Sequence, residues 1–405
     1  MTPTRVALDN EVVDTRDGTS RPWSDLVGEA RSRPTAWVAA SSVDALPAVA
    51  SLATHGGELL VVARSRLDPA LREQLLALGL AFDGAEQAEP ADRRPVDDGR
   101  VWLLTSGSTG RPKQIAHTLD SLTTVRGDQA PRRWLCPYSP GTYAWWQVVT
   151  LGLTQPGQDL VVVDPSDLDS WVEHAVAHRV TAASGTPTFW RQTIMREGDR
   201  LAEVPLEQVS LGGEPVDQAV LDQLRDLFPD ARISWLYASS ELGASIVVHD
   251  GRAGFPQEWL GRSAPGRPLL EVDGDELVIT SPHHGEGLAG RVRTGDRVVV
   301  EDGRVRIVGR VDRDEINVGG TKVSAGTVRD VLQRHPDVAW ASVRGRKAPL
   351  VGAMVVADVV AAPGREIDDA ALRRWATENL PETAVPRRVR VLPEIPAKET
   401  LKSDV

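Results

Sequence analysis

The chain has 405 residues, 41% hydrophobic and 25% charged, an ordinary globular balance with length for roughly two to three domains. A formal net charge of −11 argues against general nucleic-acid binding, and a single cysteine, Cys136, excludes an internal disulfide or a cysteine-based zinc cluster. No apolar run approaches the roughly 18 residues of a membrane span, and the opening MTPTRVALDN holds no apolar leader stretch, so a cytoplasmic protein without membrane partners is expected.

From residue 34 to 86 the pattern alternates strand and helix. Trp37–Ala40 is a short apolar run, Val43–Thr54 has helical spacing, and Glu58–Ala63 (ELLVVA) reads as a buried strand. Leu67–Leu78 follows as a helix and Leu80–Asp83 as a strand, an alternation that predicts a doubly wound parallel sheet. The polar, acidic stretch Ala88–Arg100 predicts a surface loop. Val101–Leu104 is the next strand, followed by a Gly/Ser/Thr-rich loop and a helix from about His117. Strands at Leu160–Val163, Thr181–Ala183, Gln208–Leu211 and Ile233–Leu236 alternate with helices at Trp171–His178 and Val216–Leu227. After about Ala244 the texture turns to short strands, Leu277–Thr280, Arg297–Val300 and Val305–Val308, with Asp302-Gly303 as a hairpin turn. Mixed α/β character returns after Asp312, with amphipathic helices at Thr327–Gln333 and Ala370–Asn379. The expected fold class is therefore a large α/β domain, 1–311, carrying a small β-rich subdomain, and a small α+β domain, 312–405. Residues 313–405 carry 15 Lys/Arg against 13 Asp/Glu, whereas the remainder carries 31 against 44. The C-terminal part is the more hospitable to an anionic partner.

The densest chemical signal is Thr105-Ser106-Gly107-Ser108-Thr109-Gly110-Arg111-Pro112-Lys113. Glycines let the backbone approach an anion, hydroxyls donate to phosphate oxygens, and a lysine adds charge. The spacing differs from the nucleotide triphosphatase loop G-x-x-x-x-G-K-[ST], because Lys113 lies three residues after Gly110 and Gln114 follows it.

This segment closely resembles the signature loop of the acyl-adenylate-forming superfamily, which includes acyl- and aryl-CoA synthetases, peptide-synthetase adenylation domains and luciferases. Further resemblances follow in family order: Gly212-Gly213-Glu214-Pro215, Tyr237-Ala238-Ser239-Ser240-Glu241, Arg293-Thr294-Gly295-Asp296, Gly309-Arg310-Val311-Asp312 with Ile316–Val323, and Pro396–Lys402. The resemblance implies that Thr105–Gly110 and Lys113 hold the β- and γ-phosphates of ATP. It puts Gly213, Glu214, Pro215, Tyr237, Ala238 and Ser239 around adenine, Ser240 near the α-phosphate, and Glu241 on Mg²⁺. Asp296 would accept both ribose hydroxyls, as a carboxylate can, with Arg310 beside it. Lys402 would be the catalytic lysine, with Lys398 as its competitor. Asp312 would be the hinge about which the small domain turns, replacing Lys402 by a Gly319-Gly320 face along which a pantetheine arm enters. A plain hairpin turn at Gly319-Gly320 is the alternative.

Several positions depart from the pattern. Leu401 stands where the family usually has a glycine before the lysine, and Gln114 and Ala238 replace other glycines. About 100 residues precede the loop, which implies an abbreviated N-terminal subdomain. Tyr143, Trp145, Trp146, Ser184 and Gly212 occupy stretches that line the acyl pocket in relatives, although the two tryptophans suit core packing equally well. No residue securely recognises an α-amino group. The expected activity is ATP-dependent activation of a small carboxylic acid through an acyl-adenylate, then transfer to a thiol, most simply CoA. A carrier-protein pantetheine, a non-thiol nucleophile and a non-catalytic nucleotide-binding protein are the alternatives.

Overall fold

The computed structural model describes residues 6–105, 112–287, 290–311, 314–348, 352–396 and 401–403. Among these the strands form four sheets. The first orders Ala81–Gly84, Thr35–Ala39, Glu58–Ala63, Arg100–Thr105 and Lys113–Thr118, parallel except for the last. Glu58–Ala63 is buried at all six positions, as a central parallel strand covered on both faces must be.

The second sheet has eight strands, in the order Gly243–Val248, Arg232–Ser239, Gln208–Gly212, Ala182–Gly185, Arg132–Cys136, Gln158–Val162, Glu11–Asp14 and Thr19–Pro22. Its interior is parallel, and only the two edge strands run antiparallel to their neighbours. Helices Tyr143–Thr154, Pro187–Glu197 and Gln218–Leu227 begin at Thr142, Thr186 and Asp217, whose side chains each accept an amide hydrogen bond from the first turn.

The third sheet is the β-rich subdomain, fully antiparallel: Phe255–Pro256, Arg304–Arg310, Arg291–Glu301, Glu276–Thr280 and Leu269–Asp273. Asp302 and Gly303 join two of its strands with φ of 50° and 71°, the pair of positive angles a two-residue type I′ hairpin requires. The fourth sheet, Thr321–Ser324, Glu315–Val318, Gly352–Ala361, Val338–Ala348 and Arg388–Leu392, belongs to the C-terminal part. With helices Ala325–Gln333 and Asp369–Asn379 it encloses its own core around Val328, Leu332, Val359 and Leu372. The architecture is thus a large α/β N-terminal domain with mixed sheets and a smaller C-terminal domain. No helix among the described residues is long and apolar enough to cross a membrane.

One expected element is different. The segment after the glycine-rich loop is the strand Lys113–Thr118, paired antiparallel with Arg100–Thr105 so that Thr105 faces Lys113. Helix is confined to Leu119–Leu122. In KQIAHT the buried Ile115 and His117 alternate with less buried neighbours, a period of two that the helical spacing of the following leucines obscures.

The small domain rests on helix Pro187–Glu197. Arg191, 5% exposed, donates to both oxygens of Asp217 at 2.8 and 2.6 Å and to the carbonyl of Ala339 at 2.8 Å. Gln333 adds a further bond to Asp217, at 3.0 Å. Burial alone would push the Asp217 carboxyl up, but the Arg191 charge and its hydrogen bonds hold it below the usual range. Met195 packs beside this network on Trp340, Val360 and Ile395.

Candidate active site

A cavity of about 2660 Å³ opens between the two domains and along the large sheet. That exceeds the roughly 300–1,000 Å³ of a typical single-ligand pocket, leaving room for a nucleotide and a second substrate together. Its wall brings together Thr105, Tyr143, Ser184, Gly212, Gly213, Ala238, Ser239, Ser240, Glu241, Arg310 and Lys402, residues up to roughly 300 positions apart in the chain. Tyr237 and Asp296 stand beside this wall, joined to it through Arg310. Pro215 and Lys113 do not line the cavity. Ser106–Gly110, Asp312 and Lys398 lie outside the described residues.

At one end, the buried Asp296 accepts from Tyr237 Oη at 2.6 Å and from Arg310 Nη1 at 3.0 Å. The turn that presents it is held from below. Glu276 accepts from the Gly295 amide at 2.9 Å, and the Thr294 hydroxyl donates to the carbonyl of Leu277 at 2.8 Å. Burial pushes the Tyr237 hydroxyl far up, and the neighbouring Asp296 charge adds to this, so the phenol stays protonated and remains a donor.

Ser240 and Glu241 follow the strand Arg232–Ser239. His117, fully buried, donates from Nε2 to the Ser240 carbonyl at 2.7 Å, which fixes the backbone next to Glu241. Burial lowers the His117 pKa despite that bond, so the imidazole is neutral near pH 7. No hydrogen bond from the described residues reaches the Glu241 carboxylate. Among those residues no cluster of three or more His, Cys, Asp or Glu is disposed around a metal. One free carboxylate on a cavity wall fits a magnesium ion that takes its remaining ligands from nucleotide phosphates and water.

Lys402 reaches the cavity past Gly213. Gly213 has φ +82°, which favours glycine, and a Cβ there would crowd Lys402 Cε at 3.1 Å. The tail is tied on either side. Thr186 Oγ1 donates to the carbonyl of Leu401, and the amide and hydroxyl of Ser403 donate to Glu214 Oε1 at 2.7 and 2.8 Å. Leu401 is buried in the large domain's own core. It adopts φ +63°, so the leucine takes up the left-handed backbone that a glycine at this position would adopt without strain.

One expectation changes here. Trp145 and Trp146 are fully buried against each other in the core and contribute nothing to the cavity wall, because helix Tyr143–Thr154 presents Tyr143, Ala144, Gln147 and Val148 instead. Gly319 and Gly320 form the exposed turn between Glu315–Val318 and Thr321–Ser324, with φ of 59° and 90°, away from the cavity. His117 and Ser403 had no signal in the sequence, since a lone histidine or serine carries no motif, whereas Thr186 closes the stretch 184–186 expected beside the acyl pocket and does line the cavity. Tyr138, whose hydroxyl pairs with Ser184 Oγ at 3.0 Å on the cavity wall, was equally silent.

Two family models match the chain: AMP-binding enzyme over residues 30–296, and AMP-binding enzyme C-terminal domain over 328–402. Surfactin synthase subunit 1 of Bacillus subtilis (strain 168) is 27% identical over 402 residues, covering 86% of this chain but only 11% of that protein. The chain therefore spans about a tenth of that relative. Feruloyl-CoA synthase of an Amycolatopsis species is 26% identical over 349 residues, 78% of this chain and 70% of that one. In fold, the chain is similar to the anthranilate CoA ligase AuaEII solved with anthranoyl-AMP, with a TM-score of 0.74 and 16% identity over 99% of this chain and 93% of that one. With the two models together spanning most of the sequence, the chain belongs to the AMP-binding, adenylate-forming enzyme family.

Proposed function

We propose that this adenylate-forming enzyme activates a small carboxylic acid and transfers the acyl group to a thiol, CoA in the first instance. In the first step a carboxylate oxygen attacks the α-phosphorus of ATP. The new O–P bond forms as the bond to pyrophosphate breaks, and charge grows on the phosphoryl oxygens. The observation that carries this reading is the seat of Lys402, tied down beside Gly213 and facing the same cavity as Ser240, Glu241 and Arg310. There its ammonium would bridge the incoming carboxylate and the α-phosphate, the kind of placed charge that usually dominates such catalysis.

Asp296 would take the ribose diol, keeping Arg310 and Tyr237 as its braces. Residues 105–110 and Lys113 would hold the outer phosphates. Glu241 would hold Mg²⁺, which when bound neutralises charge on those phosphates. For the second step the small domain, residues 312–405, would turn about Asp312. That would withdraw Lys402 and bring Gly319-Gly320 to the cavity as the mouth of a pantetheine channel. The similarity to feruloyl-CoA synthase supports CoA as acceptor. The similarity to a surfactin synthase subunit favours a second reading, in which the acceptor is a carrier-protein pantetheine.

The test is ATP–pyrophosphate exchange across a panel of acids, followed by mass spectrometry of products formed with CoA, with a pantetheinylated carrier protein or with amines. Exchange with a CoA thioester as product supports the first reading. Exchange with acyl transfer only to the carrier or to an amine replaces the acceptor. Absence of exchange with every acid overturns the enzymatic reading in favour of a nucleotide-binding protein.

A further inference from the structure

Lys402 is held on both sides, by one hydrogen bond at Leu401 and two at Ser403. Ahead of it, the Leu401 carbonyl is gripped by Thr186. Behind it, Ser403 gives both its amide and its hydroxyl to a single oxygen, Glu214 Oε1, at 2.7 and 2.8 Å. The other oxygen, Oε2, accepts the amide of Thr188 at 3.1 Å. Thr188 lies in the first turn of helix Pro187–Glu197, where exposed amides and the helix dipole favour a carboxylate. The two oxygens thus have separate duties: one secures the carboxylate to the large domain, the other receives the tail. Hydrogen bonds to an ionised acceptor are the shorter and stronger kind.

Resting on the adenylate-forming reading of Lys402, we propose that Glu214 is a positioning residue for that lysine. It captures Ser403 and thereby sets where the ammonium sits. In this structure its carboxylate accepts from Ser403 and Thr188, which gives it a duty besides lining the adenine side. It touches no reacting atom and acts through the tail. Losing it leaves the nucleotide site built but lets Lys402 wander. A displacement of about 1 Å of a group needed in the transition state costs on the order of 10²-fold in rate.

The test uses the full-length chain and the variants Glu214→Ala, Glu214→Gln and Ser403→Ala. Amide hydrogen exchange at Ser403, measured without substrates, reports the contact itself. ATP–pyrophosphate exchange, driven by whichever acid is fastest with the wild type, reports its use. In Glu214→Ala the Ser403 amide should lose protection. Turnover should fall by on the order of 10²-fold while KM for ATP stays within about threefold. Glu214→Gln keeps a neutral acceptor and should recover to within about tenfold of wild type. Ser403→Ala, which keeps its N–H, should lose only a few-fold.

A carboxylate serving merely to brace its helix would lower thermal stability without separating turnover from KM and without rescue by Gln. A carboxylate serving adenine would raise KM for ATP. Either pattern, or unchanged Ser403 protection in Glu214→Ala, overturns the proposal. Should Glu214→Ala fail to fold, the Ser403→Ala and Glu214→Gln pair probes the same bonds, and purely additive losses in the double variant refute the coupling. Should no acid drive exchange with the wild type, the adenylating reading fails separately, and hydrogen exchange at Ser403 still decides the contact.

Discussion

Replacing Leu401 by glycine weighs two opposed effects at one residue. Leucine at φ +63° bears a left-handed backbone cost of roughly 1–2 kcal/mol, which glycine removes. Against this, the Leu401 side chain is 7% exposed and packed in the large domain's core, and burying a leucine contributes roughly 1.5–3 kcal/mol. Glycine also loses roughly 0.5–1 kcal/mol more through chain entropy on ordering. The difference, about 1–2 kcal/mol against docking of the tail, corresponds to roughly a 5- to 30-fold drop in the docked population. Leu401→Gly should therefore form adenylate roughly tenfold more slowly in single-turnover quench experiments, with global melting little changed. Leu401→Asn tolerates the same backbone but lacks the apolar anchor, and should behave like the glycine variant. An adenylation rate at or above wild type for Leu401→Gly would refute the reasoning, by showing that strain outweighs the anchor.

Lys402→Ala should slow adenylate formation by on the order of 10²–10³, the scale of one lost transition-state donor, while thiol transfer from a supplied acyl-adenylate persists. A bulky residue at Gly320, where a Cβ meets no neighbour but the φ of 90° strains any side chain, should give the reverse pattern if the small domain turns, with a melting curve to separate strain in the small domain from loss of transfer. Asp296→Ala removes a carboxylate that both Tyr237 and Arg310 bond and should abolish most of the melting-temperature increase that ATP produces, as followed by thermal shift. His117 supplies a pH dependence. Burial lowers its folded pKa below the ordinary 6.5, so the unfolded chain binds the extra proton. Its contribution to stability is complete above about pH 6.5 and is lost as pH falls toward the folded value. His178, His249 and His283 are shifted in the same direction, so the discriminating measurement is the difference between wild type and His117→Gln. Melting temperatures that converge as pH is lowered from about 7 support this assignment, and parallel curves refute it.

The parts of this protein that were legible in the sequence are those where one physical demand acts on neighbouring residues. ELLVVA read as a buried strand and is one, buried at all six positions, and Asp302-Gly303 read as a hairpin turn and closes one with positive φ. The strand after the glycine-rich loop was masked by the leucines that follow it. Contacts assembled from distant segments stayed hidden. Nothing near Glu214 in the chain indicates that its acceptor capacity is filled by Ser403, 189 positions later. Leu401 looked like a departure from a glycine pattern, and its compensation, a side chain seated in another domain's core, exists only in three dimensions. Trp145 and Trp146 illustrate the converse: the sequence places them beside Tyr143, and helical geometry turns them the opposite way.

The groups that receive the tail each have employment without it. Thr186 Oγ1 already accepts the amide of Phe189 at 3.0 Å as the cap of its helix, and Glu214 already holds Thr188. When residues 401–403 depart, neither the helix start nor the carboxylate is left without a native partner, and water can take the vacated lone pair and the freed hydroxyl proton. The polar groups that receive the tail would therefore stay satisfied on its release, and the cost of undocking would fall on the apolar seat of Leu401. If the small domain turns as proposed, the tail's departure by itself would strand neither Thr186 nor Glu214. The enzyme's thermal stability and its catalytic rate can drift independently under mutation at residues 401–403.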